Sequence, residues 1–400
     1  MSALLDKLIE QDDLIDDDFA ELRRQARQQL MQYGFPDLKT EAWKYTSLRS
    51  LQKRDFQAMP AQRSELPSLP FDADVLHFDQ GLFDPKQAQL PPGVRLEPLS
   101  TLDPETLNYA QQADAFAWLN LARFEQAWKL VIEQPLERPI ALVTTTSTDF
   151  AAAVHPRLVV ELSANASAML IDLQRDQGQG LINSVQDIYL DNGARLQHVL
   201  VRNNAQSAAI QRTRVRVNAD ADYRCHVLDQ GGRLNRHELT VELLQPGASG
   251  QIDGVALIDT DQHVDYHTAI EHVVGKTNSR ESFRMLAGGT GVGVFNGRIH
   301  IHRGADDSHS DLNTANLLLS DTARINTKPE LEIYAEEVTA SHGATIGQID
   351  ETAMFYMRSR GIPEAEALSM LKQGFAATPL ESLNDQAIRE WLLSELSSSL

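Results

Sequence analysis

"RTRVRVNADADYRCHVL", residues 212 to 228, holds two runs of alternating polarity around a break at 218 to 221. Thr213, Val215 and Val217 fall on one face, and Tyr223, Cys225 and Val227 fall on one face after the break, the period of a strand with one side in a core. Asn218 and Asp220 supply the turn chemistry. "RLVVELSANASAMLIDL" (157 to 173), "DIYLDNGARLQHVLV" (187 to 201) and "LTVELLQPGASGQIDGVAL" (239 to 257) repeat the arrangement. The turns at Asn165, Asn192, Asp220 and Gly247 are separated by 27, 28 and 27 residues. Stacked coils explain so constant a period, because each coil completes its sheets and buries its inward side chains only on its neighbours. The expected core is a right-handed parallel β-helix (β-solenoid), with an antiparallel β-sandwich as the rival. Alternation continues less regularly through "TAIEHVVGKTNSRESFRM", "GRIHIHRGADDSHSDL" and "LLLSDTARINTKPELEI".

Outside this core the period changes to that of a helix. Phe19, Leu22, Ala26 and Leu30 recur at helical spacing before "GFP" ends the run. "PAQRSELPSLPFDAD" and "QLPPGVRLEP" are too rich in proline for helix and read as loops with short strands. Residues 104 to 133 read as helical, with Phe116, Leu119, Phe124 and Trp128 as the apolar points, up to a boundary near Pro135 to Pro139. Beyond Asp350, Ala365, Leu368, Leu371 and Phe375 form one stripe and Ile388, Trp391, Leu392 and Leu396 another. The expected domains are a helical N-terminal domain with proline-rich loops (1–138), the β-helix core (139–350) and a C-terminal helical module (351–400).

The 400 residues carry a net charge of −20, a field that repels phosphate backbones and anionic lipid, so neither nucleic acid nor a membrane is an expected partner. One cysteine, Cys225, closes no intrachain disulfide and cannot alone hold an iron-sulfur cluster or a structural zinc. The acidic start "MSALLDKLIEQDDLIDDD" lacks the basic flank and apolar stretch of a signal peptide, and the expected location is the cytoplasm.

Several motifs suggest chemistry. "HVVGKTNS" contains a Gly-Lys-Thr step, but Ile270 stands where a phosphate-binding loop needs glycine. Gly288, Gly289, Gly291, Gly293 and Gly297 miss the dinucleotide spacing and read as bends or close backbone approaches. "HVDYH" puts His263, Asp265 and His267 on one face of a strand; a metal site would want this, and a hydrogen-bonded polar ladder, the commoner arrangement, also produces it. His300 and His302, with His309 nearby, pose the same choice. "TASHG" (339 to 343) reads as a short link between the strands "LEIYAEEV" and "ATIGQI", which places His342 at a strand end. Cys225, within "YRCHVL", reads as a small packed residue.

The segment order, with "EAWKYTSL" (41 to 48), "KPELEIYAEEV" (328 to 338), "SHGATIGQID" (341 to 350) and "FYMRSRGIPEAEALSMLKQGFA" (355 to 376), resembles the SufB/SufD family of iron-sulfur cluster assembly proteins, in its SufD-like branch. The resemblance implies a non-catalytic subunit of a SufBCD scaffold, paired with a SufB-like chain through the solenoid end and holding a SufC-like ATPase through its C-terminal helices. It implies that His342 lies at the SufB-SufD interface opposite a partner cysteine, and that an iron-sulfur cluster is present only transiently, with no cofactor held by this chain alone. Arg358, Arg360, Gly361, Glu364, Leu368 and Leu371 fall in the matching segment and are the candidates for SufC docking; a plain helix start, with Pro363 and two glutamates in the first turn, accounts for the same residues. Ala340 stands where the family pattern has cysteine before Ser-His-Gly. In isolation the solenoid end is also suited to a homodimer. The alternatives are a β-solenoid carbohydrate-active enzyme, which the 6% aromatic content and the acidic N-terminus disfavour, and a stand-alone metal-binding protein using one of the histidine clusters.

Overall fold

The computed structural model describes residues 8–9, 17–56, 66–85, 89–99, 114–146, 151–176 and 178–400. Its centre is a parallel β-solenoid of about seven turns, with helices at both ends of the chain. Two sheets face each other. Sheet A stacks Asp74–Asp79, Ile140–Thr146, Ser167–Asp176, residues 195–203 and 222–229, Ser249–Ile258, Asn278–Ala287, Ser308–Leu318 and Val338–Gly347. Sheet B stacks Ala127–Ile132, Arg157–Leu162, Leu181–Leu190, residues 208–217 and 234–243, His263–His272, Val292–Ile301 and Arg324–Ile333. Every one of these pairings is parallel, so the sandwich rival is excluded.

The turns explain the period. Asn165, Gly193, Asp220, Gly247, Lys276 and Asp307 all have positive φ and form one column along the rod. Each donates its N–H to the carbonyl of the turn above: Asn165 to Asn192, Gly193 to Ala219, Asp220 to Pro246, Gly247 to Lys276, Lys276 to Asp306 and Asp307 to Glu337. Asparagine, aspartate and glycine tolerate this left-handed conformation best, which is why the sequence signals them. At Gly193 a Cβ would also lie 2.5 Å from the Asn165 Oδ1, so the side chain of the turn below crowds any larger residue there.

The solenoid starts earlier than residue 139. Asp74–Asp79 pairs with Ile140–Thr146, and Ala127–Ile132 with Arg157–Leu162, so the first coil is built from the segment expected to be helices and loops. Among the described residues of 104 to 133 the helix is Ala115–Arg123 and Trp128 belongs to a strand; residues 104–113 lie outside the described residues. "AWKLVI" is a short apolar run rich at its end in β-branched residues, which favours a strand buried on both sides.

Helices cover much of the outer face of sheet A and pack beside the first coils of sheet B. Ile171, Val199, Val201, Leu228, Val255 and Leu286 point out of sheet A and are buried under Ala376, Leu380, Leu383 and the stripe Ile388, Trp391, Leu392 and Leu396 of the last helix, Gln386–Ser398. Burial on both faces is why strands such as "HVLV" read as continuous apolar runs. The helix Ala20–Tyr33 packs on Ala115–Arg123 through Ala26, Leu121, Ala122 and Phe124. Among the described residues no helix is long and apolar enough to cross a membrane.

Candidate functional site

Among the described residues the last two strands, Arg324–Ile333 and Val338–Gly347, each pair on one side only, with Val292–Ile301 and Ser308–Leu318 respectively. Their other edges present unpaired backbone donors and acceptors, which another strand can complete. The inward residues of this last coil have no further coil over them. Ile333 and Ile346 are accordingly exposed, and a pocket of about 390 Å³ opens between the strands and residues 41–46, lined among others by Phe295, Thr327 and Ile346.

His342 lies in the middle of Val338–Gly347, and the link between the two strands is residues 334–337. The expectation that "TASHG" forms the link is therefore wrong: the turn column fixes the corner at Glu337, which accepts from the Asp307 N–H, and small residues suit a strand with nothing packed on its far edge. Register then sets the direction of the side chain. His342 pairs with Leu312, which is fully buried, so the imidazole faces the axis of the solenoid and is exposed only because the rod ends there. The file behind it reads Leu312, Glu281, Ile252, Cys225, His198 and Leu170. Ser341, on the outer face beside it, donates to the Asp311 carboxylate.

Cys225 is in the same file but four strands away, roughly 19 Å at the usual strand spacing. It is fully buried, and burial pushes its thiol up to about 12, so it offers no thiolate to an ion at the mouth. The reading of Cys225 as a packed residue holds. Ala340 is partly buried and packs against the core.

His263, Asp265 and His267 do share the outer face of sheet B, where they form a ladder bound to "EAWKYTSL". The Thr46 Oγ1 lies 2.9 Å from the His263 Nε2 and donates to the Asp265 carboxylate, whose other oxygen is 3.1 Å from the His267 Nε2. Arg236 pairs with Asp265 and lies 4.0 Å over the Trp43 ring. Burial opposes the charge on Asp265, yet Arg236, His267 and Thr46 outweigh it and hold the carboxyl well below its usual range. His300 and His302 stand on the same outer face one strand on, both against Glu271. Nothing in their sequence spacing announces Glu271, which parallel pairing brings beside them. His309 points outward from sheet A and is not part of this group.

The docking candidates lie on a protruding helical hairpin, Glu351–Ser359 and Glu364–Ala377. The first helix has no buried residue, and Phe355 and Tyr356 are 74% and 58% exposed. Arg358 and Glu364 form an exposed ion pair of 3.3 Å, and Arg360 lies over the Tyr356 ring. Gly361 has φ +87° and ends the helix: its N–H bonds the Arg358 carbonyl and that of Ile362 bonds Met357. Leu368 and Leu371 are half-buried, while Ala367 and Ala376 form the buried side of the second helix.

Comparison with known proteins agrees with this geometry. The family model described as SUF system FeS cluster assembly, SufBD core domain, matches residues 143–375, and that of the SufBD protein N-terminal region matches residues 6–77. The chain is 30% identical over 390 residues to the iron-sulfur cluster assembly protein SufD of Escherichia coli, covering 94% of this chain and 92% of that one. It is 28% identical over 383 residues to an iron-sulfur cluster assembly SufBD family protein of Synechocystis, covering 87% and 84%. The chain belongs to the SufBD family of iron-sulfur cluster assembly proteins, and within it is similar to SufD.

Proposed function

We propose that this chain is a non-catalytic subunit of a cytoplasmic SufBCD-type scaffold, which pairs through the open solenoid end with a SufB-like chain and carries a SufC-like ATPase on its helical hairpin. The observation that carries the reading is the mouth of the rod: two strands with unpaired edges around an inward, uncovered imidazole, His342. A SufB-like strand pair docked there completes both sheets and brings its thiolates against that imidazole. The iron-sulfur cluster is cargo at this junction; a single buried cysteine supports ligands supplied from the partner. Phe355 and Tyr356, with Arg358, Arg360, Gly361 and Glu364 beside them, offer the ATPase an apolar centre with a charged rim. Closure of two ATPase subunits pulls on the hairpin and shifts the junction, to the extent that the ATPase states differ in affinity for these helices. In isolation the same mouth pairs two copies of this chain.

Co-expression with SufB-like and SufC-like partners tests each surface separately. Ile333→Lys with Ile346→Lys should abolish SufB-like co-purification, and Phe355→Ala with Tyr356→Ala should abolish that of the ATPase. His342→Ala should leave the complex assembled and unable to support cluster formation. Retention of the SufB-like chain by the double lysine variant would sink the reading of the mouth.

A further inference from the structure

On the outer face of sheet B, Glu271, His300 and His302 aim three donor atoms at one point, all within 4.8 Å of one another. His300 Nδ1 and His302 Nε2 each stand 2.8 Å from the same carboxylate oxygen, Glu271 Oε2. The two rings stack at 3.9 Å between centroids, so both present a nitrogen in the same direction. Arg298 donates to the other oxygen, Glu271 Oε1, and fixes the carboxylate plane. Glu332 is the register partner of His300 on the last strand of the sheet and forms an ion pair with Arg298 at 3.5 Å. The Tyr334 ring meets His300 edge-on at 5.5 Å. All three donors are partly exposed, so an ion reaches them without any opening of the fold.

We propose that Glu271, His300 and His302 bind one first-row divalent transition ion of the Zn²⁺, Fe²⁺ or Co²⁺ class. Two imidazole nitrogens and one carboxylate oxygen suit such ions, whereas calcium and magnesium want oxygen ligands throughout. Each neutral imidazole exposes a lone pair by carrying its proton on the other ring nitrogen, so the His302 hydrogen bond and the His300 contact to Oε2 exchange for bonds to the ion with the rings in place. Three protein ligands leave positions open to water, the pattern of an exchangeable site and not of a structural one. The site is on the outside of the rod, whereas His342 faces its axis, and it stands whether or not the mouth pairs with another chain.

The test uses the full-length chain without a polyhistidine tag, stripped with chelator and titrated with Co²⁺ by visible absorption and with Zn²⁺ by calorimetry. Saturable binding of one equivalent is expected, weakened at least tenfold by His300→Ala, His302→Ala or Glu271→Gln and unchanged by His342→Ala or His309→Ala. Circular dichroism and the melting temperature check that each variant is folded. Fe²⁺-directed oxidative cleavage of the unmodified chain provides a second readout, with cuts expected near residues 271 and 300. Binding that survives the His300→Ala, His302→Ala pair, or cleavage that maps elsewhere, would overturn the proposal.

Discussion

Glu281 sits in the file that ends at His342, fully buried between the sheets. Neither of its oxygens has a hydrogen-bond partner; the Thr268 hydroxyl, inward from the opposite sheet, favours the charged form without reaching bonding geometry. Burial pushes the carboxyl from 4.5 up to about 8. The folded state therefore holds a proton that the unfolded state releases above its own pKa. The contribution of this group to stability is greatest below about pH 4.5 and is lost as pH rises to about 8, by on the order of 1.4 kcal/mol per unit. Glu281→Gln should flatten that slope in urea titrations between pH 5 and 8 and raise the midpoint most at pH 8. At the end of the file the opposite holds: His342 packs under no coil, so His342→Ala should change the unfolding free energy by less than about 0.5 kcal/mol. The motif around His342 was legible in the sequence. Its direction was not, because that depends on pairing with Leu312, thirty residues earlier, and a slip of one residue would turn the ring to the outer face.

At the level of elements, "EAWKYTSL" and "HVDYH" read as separate motifs and prove to be two halves of one clamp. Trp43 covers Arg236, Arg236 pairs with Asp265, and Asp265 accepts from Thr46. Sequence spacing put His263, Asp265 and His267 on one face correctly; what covers that face lies more than 200 residues away. Asp265→Ala leaves the buried Arg236 guanidinium without its main counter-charge, which should cost about 3 kcal/mol in chemical denaturation. Trp43→Ala should cost a similar amount and make the N-terminal segment the first released by limited proteolysis. The C-terminal stripe on Gln386–Ser398 was legible residue by residue because one helix face shows its own period. Trp128 was misread because a helix and a short strand adjoin there, and a single window averages their periods.

Across the whole molecule, the 27-residue rhythm announced the solenoid, and the first coil escaped notice because prolines and inserted segments interrupt its strands. The helices at the end of the chain cover sheet A through Leu380, Leu383, Trp391 and Leu392. A chain cut after Asp350 therefore uncovers Val199, Val201, Leu228 and Val255 as well as losing the hairpin. Such a truncation should bind a hydrophobic dye strongly and precipitate near its melting point, so side-chain substitutions at Phe355 and Tyr356 are the cleaner probe of docking.

The two ends of the rod differ in kind. At the first coil Leu82–Phe83 runs antiparallel beside Asp74–Asp79, and Val94–Pro98, closing on a proline, runs antiparallel to Ala127–Ile132. That blunted end is a poor parallel template for the mouth of another molecule. Growth by tip-to-tail addition, the route by which repetitive β-architectures become fibrils, is blocked at its second step, and any union at the mouth is terminal. Light scattering of the concentrated chain should find a ceiling at two copies and no filaments.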